Sequence, residues 1–115
     1  MTYDELSNFT YQELDNFTYE ELELGVPELL AKVKEDNKPI SISVFEKLSE
    51  LCKSLELEPQ INHKVISDIS NQISKKTTFK QAVDKISEII KLLAASADLY
   101  EKFKPIVKSI ISFFQ

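Results

Sequence analysis

The apolar positions of this chain follow two different rules. From Pro27 onward they recur at spacings of three and four: Leu29, Leu30 and Val33; then Val44, Leu48, Leu51 and Leu55; then Val65, Ile66, Ile69 and Ile73. A longer run, Phe79, Val83, Ile86, Ile90, Leu93, Ala97 and Tyr100, alternates four and three over about three heptads. Side chains at those intervals share one face of an α-helix, so each run predicts an amphipathic helix. Before Pro27 the rule changes. The first 25 residues read TYDELSNF, TYQELDNF and TYEELELG after the initial Met, an eight-residue unit written three times. A short repeat of this fidelity predicts repeated structure.

Each octad carries the chemistry of a helix start. Thr2, Thr10 and Thr18 are each followed three residues on by a glutamate, Glu5, Glu13 and Glu21. In a capping box the threonine hydroxyl accepts from the third helical N–H, and the glutamate reaches back to the threonine N–H. Met1, Phe9 and Phe17 precede the threonines, and Leu6, Leu14 and Leu22 follow at the fourth helical position, the spacing of a hydrophobic staple. Asn8 and Asn16 stand where a left-handed residue closes a turn. One continuous helix is a poor alternative, because an eight-residue period drifts by about 80° per repeat and scatters Tyr, Leu and Phe around the cylinder. The expected structure is three short capped turns. One turn cannot nucleate alone in water, so the array must lie on the body, a second copy or a partner.

The body reads as four to five helices. Pro27 suits a first turn, and Asp36-Asn37-Lys38-Pro39 ends that helix. Ser43 with Glu46, Asn62, and Thr78 with Gln81 mark the next three starts. Pro105 should kink or restart the last helix, and Asp98 with Glu101 offers an earlier restart. The closing segment, with Ile106, Val107, Ile110, Ile111, Phe113 and Phe114, is apolar on more than one side and too short to span a bilayer. Burial against the bundle is one fate for it; presentation to a partner's groove or a membrane surface is the other. The expected fold is therefore all-α, a small helical bundle over 26–115 with the octad array over 1–25.

Charge divides at the same place. Residues 1–25 hold seven acids and no base, whereas the rest holds twelve acids and fourteen lysines. The two parts therefore have reason to attract. A net charge of −5 without a dense basic face argues against nucleic acid. No leader with a basic start and apolar core is visible, and no window is free enough of charge for a membrane span, so a cytoplasmic site or a place in a virion assembly is expected.

Candidate chemistry is sparse. His63 and Cys52 are the only residues of their kinds. Cys52 falls among Leu48, Leu51 and Leu55 and reads as a small hydrophobe. A zinc site would need three carboxylates beside His63, a poor donor set for that metal. Adjacent acids such as Glu20-Glu21 do not converge on one helix face and read as solvated charge. One glycine rules out a glycine-rich phosphate loop. We expect no catalytic residue, cofactor or metal, and take Tyr3, Tyr11, Tyr19, Phe113 and Phe114 as the candidate contact surface.

Thr2-Tyr3-Asp4-Glu5-Leu6, Thr10-Tyr11-Gln12-Glu13-Leu14 and Thr18-Tyr19-Glu20-Glu21-Leu22 resemble the tandem Thr-aromatic-x-x-Leu repeats of small and tail-associated proteins of phages and prophages of Gram-positive bacteria. The resemblance covers residues 2–25 only. It implies a virion or assembly role and identifies no functional residue. The expected function is a non-enzymatic structural or adaptor protein working through a protein partner or self-association. The alternatives are a small helical immunity or antitoxin-like protein that blocks one partner, and a membrane-surface binder using residues 105–115 with Lys102, Lys104 and Lys108. Overall acidity sets the membrane behind a protein partner.

Overall fold

Helices form where the apolar spacing and the cap residues coincide. The computed structural model describes residues 17–33 and 37–114, so the first octad, most of the second, and with them Tyr3 and Tyr11, lie outside the described residues. The described chain is all-α, with six helices: α1 (Tyr19–Glu23), α2 (Val26–Val33), α3 (Ile42–Glu56), α4 (His63–Asn71), α5 (Phe79–Leu93) and α6 (Ala97–Ser112). The third octad is a capped turn of the expected kind. Thr18 is the N-cap of α1, its Oγ1 accepts from the Glu21 N–H at 3.2 Å, and the Glu21 carboxyl accepts from the Thr18 N–H at 3.3 Å. The turn ends at Gly25, whose φ of +77° is open to glycine at little cost. The Gly25 carbonyl then accepts from Leu29 N–H, so the residue that closes α1 also opens α2.

Thr78 and Gln81 make a second complete capping box at the start of α5. Asn62 caps α4 as expected. Two starts differ from the sequence reading. α3 is capped by Ser41, whose Oγ accepts from Val44 N–H at 3.2 Å, and Ser43 with Glu46 lies inside the helix. The helix therefore starts two residues earlier than its apolar stripe requires, and Val44, Leu48, Leu51 and Leu55 line its buried side. The seam from Phe79 to Tyr100 is not one helix. α5 stops at Leu93, and Ser96, rather than Asp98 with Glu101, caps α6 by accepting from Leu99 N–H. A single helix over that run would be about 33 Å long and could not fold its second half back onto the same core. The turn at 94–96 lets Leu99, Tyr100 and Phe103 do so. Pro105 does not restart the helix, which continues to Ser112. The Glu101 carbonyl that loses its donor belongs, like Pro105, to an exposed position, where water replaces the bond.

The core runs through every helix but α1, whose C-cap Leu24 also joins it. Leu48, Leu51 and Leu55 of α3 and Ile86, Ile90 and Leu93 of α5 are almost fully enclosed. Each such side chain is worth roughly 1.5–3 kcal/mol of burial. α3 packs on α4 and α6; α5 packs on α6, α2 and α1. Loop 37–41 is pinned to the start of α5 by Ile40 N–H to the Thr77 carbonyl, 2.8 Å, and Phe79 N–H to the Lys38 carbonyl, 3.0 Å.

Candidate functional site

The third octad is seated on the bundle by its acids, and this seat is the most highly organised polar cluster among the described residues. Glu21 has no exposed surface. Its Oε1 accepts from the Thr18 N–H and hydroxyl, and its Oε2 accepts from the Ser87 hydroxyl of α5 at 2.6 Å. Lys91, one turn on from Ser87, stands 4.0 Å from Oε1 with half its side chain in solvent. Burying a carboxyl without partners costs several kcal/mol, and here both oxygens are supplied. The sequence reading of Glu20-Glu21 as solvated charge is therefore wrong for Glu21. Adjacent residues point about 100° apart on a helix, so one of the pair can face α5 while the other faces water.

Two residues on, Glu23 meets α6. It accepts from the Tyr100 hydroxyl at 2.8 Å and pairs with Lys104. Tyr100 and Lys104 are one turn apart, so they present a hydroxyl and an ammonium side by side. Lys104 first, then Tyr100, holds the Glu23 carboxyl below the ordinary range, with the Tyr19 hydroxyl adding to the effect. The Lys104 ammonium is in turn raised by Glu23 and lies 5.5 Å from the centre of the Tyr100 ring. Burial, followed by Glu23, pushes the Tyr100 phenol up. Among the described residues, Glu21 and Glu23 of the acidic segment meet Lys91 and Lys104 of the body, in line with the charge division. Sequence spacing gave no sign of Ser87, Tyr100 or Lys104 as the receiving residues, because they come together only when α5 and α6 fold back on each other.

The candidate contact residues separate. Tyr19 keeps 72% of its surface exposed. Phe113 is 46% exposed, with the Lys47 ammonium 5.9 Å from its ring centre. Phe114, only 7% exposed, packs edge-on against Phe79 with centroids 5.4 Å apart, so it belongs to the core and leaves the surface set. The last segment divides between the bundle and the surface. Val107, Ile110, Ile111 and Phe114 turn inward, while Ile106 (41% exposed) and Phe113 turn outward. Near them a shallow groove of about 330 Å³ runs between α3 and α6, lined by Lys47, Leu51, Ser54, Pro105, Ile106 and Ser109 among others.

Cys52 is buried in α3 and its thiol is pushed up to about 11 by burial, with Glu56 adding to the rise. A thiol so disposed is a packing residue and a poor nucleophile near neutrality. His63 is the exposed first residue of α4. Among the described residues no three His, Cys, Asp or Glu side chains gather as metal ligands, and no helix is long and apolar enough to cross a membrane. No protein family, curated protein or solved structure matches the chain.

Proposed function

We propose that the chain is a non-enzymatic structural or adaptor protein that works by protein–protein contact, of the kind its octads resemble in phage- and prophage-derived assembly proteins. The observation that carries this reading is the apolar edge of α6. Ile106 and the C-cap Phe113 stand half in solvent beside the α3–α6 groove, at the edge of a helix whose Leu99, Tyr100, Phe103, Val107, Ile110 and Ile111 are committed to the core. Exposed apolar side chains next to a concave strip, with a lysine over the aromatic ring, have the make-up of a contact patch with a polar rim.

The test is affinity capture and sedimentation with the parent protein and an Ile106→Lys, Phe113→Glu variant. Both positions are exposed, so the fold should survive. The proposal expects self-association, or retention of assembly proteins, by the parent and its loss in the variant. Equal behaviour of the two proteins overturns it. A single toxin-like partner lost in the same way would replace the adaptor by an immunity protein, and loss of vesicle binding alone would replace it by a membrane-surface binder.

A further inference from the structure

α6 carries two stripes at helical spacing, and the bundle encloses one of them. Leu99, Phe103, Val107 and Ile110 are buried in the core. Lys102, Ile106, Ser109 and the C-cap Phe113 follow at spacings of four, three and four, and all four are exposed. Residues so spaced share one side of a helix, and the alternation is that of a seam between helices. This side is turned toward α3, for Lys102 pairs with Glu58 at 2.6 Å and Phe113 lies 5.9 Å from the Lys47 ammonium. α3 borders the stripe without covering it, which leaves the groove between Glu50 and Ser54 on one lip and Ile106 and Ser109 on the other. The order of side chains along the stripe names its complement. A lysine stands at one end and an aromatic ring at the other, with bulky Ile106 and small Ser109 between them. Turned end for end, a second α6 sets Lys102 over Phe113 and Ile106 against Ser109, and does so twice by symmetry. Set parallel, it brings lysine onto lysine. The stripe is complementary to its own reverse.

We propose that the occupant of this patch is a second copy of the chain, docked with α6 antiparallel to α6 about a two-fold axis at the level between Ile106 and Ser109. The proposal rests on the reading of Ile106 and Phe113 as a contact patch and names the partner. Charge favours a copy over a partner of one dominant sign. The patch bears Lys47 and Lys102 with Glu50 and Glu58, two of each sign, so neither a polyanion nor a strongly basic surface matches it. Lys47 beside the Phe113 ring opposes the arriving lysine, and Glu50, one turn along α3, offsets it. Shape agrees, because the bulky Ile106 of each copy arrives at the small Ser109 on the lip of the other's groove. The stripe runs about 17 Å from Lys102 to Phe113, which makes a small interface and a weak, reversible dimer.

Sedimentation equilibrium of the full chain, from about 10 µM to about 1 mM, covers the affinities such an interface supports. A dimer is expected at the upper end. Ile106→Lys, at an exposed position, should remain a monomer throughout while the amide spectrum of α5 stays that of the parent. Orientation is read by mixing the isotope-labelled parent with unlabelled Ser112→Cys chain carrying a nitroxide. Ser112 is exposed and off the stripe, and Cys52 is buried away from the reagent. Antiparallel docking broadens the amides of Glu101, Lys102 and Phe103 most, whereas parallel docking broadens those next to Ser112 most. A monomeric parent, a dimer indifferent to Ile106→Lys, or broadening strongest next to Ser112 overturns the proposal. A monomeric parent that captures another protein, and loses it in the Ile106→Lys, Phe113→Glu variant, overturns the dimer and leaves the adaptor reading standing. A monomeric parent that captures nothing overturns both.

Discussion

α1 and α5 begin with the same device and become different objects. Each opens on a threonine whose hydroxyl accepts from the third helical N–H, at 3.2 Å in both, and each closes the box with the side chain of that third residue. α5 then runs for 15 residues and α1 for five. The cap sets where a helix starts and says nothing about how far it goes. α5 continues because Val83, Ile86, Ile90 and Leu93 keep paying into the core at every turn. α1 has no such stripe. Its third residue is itself the buried one, held by Ser87, and Gly25 stops it. The same motif is thus a local start signal at Thr78 and a tertiary anchor at Thr18.

The sharpest way to break that comparison is to remove the third residue from each box. Glu21→Ala should cost about 2–3 kcal/mol, because it strands the Ser87 hydroxyl and the Thr18 N–H in a partly buried site and leaves a void where a large side chain was enclosed. Gln81→Ala removes an equivalent bond at an exposed position, where water takes over, and should cost roughly 0.5–1 kcal/mol. Chemical denaturation of the two variants measures the difference. Equal costs would mean that Glu21 serves as a cap only.

The next effect lies at the stop signal. Gly25→Ala would place its Cβ in near-open space, 3.9 Å from the Glu28 carboxyl, so crowding is not the penalty. The penalty is backbone conformation at φ +77°, about 1–2 kcal/mol for an L-residue. α5 ends instead on Ala94 in right-handed geometry, and Ala94→Gly should change stability by less. Thermal unfolding of both variants orders the two ends. The lesson is that α1 depends on a sharp stop to aim Val26 into the core, whereas α5 simply runs out of apolar stripe at a turn.

Much of this was legible in the chain. The spacing of three and four located the buried face of each bundle helix, and Thr18, Asn62 and Thr78 announced their starts, because caps and stripes are properties of neighbours in sequence. What was not legible required knowing which helices meet. Ser43 with Glu46 is the better local cap signal, yet Ser41 starts the helix, and nothing in the neighbouring sequence announces that choice. The seam from Phe79 to Tyr100 is continuous in pattern, and only the need to enclose both halves breaks it at 94–96. Phe113 and Phe114 are adjacent and chemically equal, yet α6 turns one toward Phe79 and the other toward Lys47. The receiving residues of the octad seat were hidden for the same reason, since Ser87 and Tyr100 have no common signature.

The smallest expected effect distinguishes the two boxes by pH. Glu23 sits two residues past Glu21 and its carboxyl is held below its ordinary value of 4.5, chiefly by Lys104. A carboxyl lowered on folding stabilises the native state fully above its unfolded value, and that contribution disappears as pH falls through the lower native value. The attachment of α1 should therefore weaken below about pH 4.5, progressively as Glu23 takes up its proton. Because the group is at the surface, added salt should screen much of the effect even at neutral pH. Urea midpoints between pH 7 and pH 2 would show this limb in the parent and a shallower one in Glu23→Gln. The Thr78–Gln81 box contains no titrating group, so Gln81→Ala should leave the slope of the acid limb unchanged. A parent and Glu23→Gln variant with superimposable acid limbs would place the hold on α1 entirely in Glu21 and Ser87, and the Tyr100–Lys104 pair would then be a neighbour of the seat without a share in holding it.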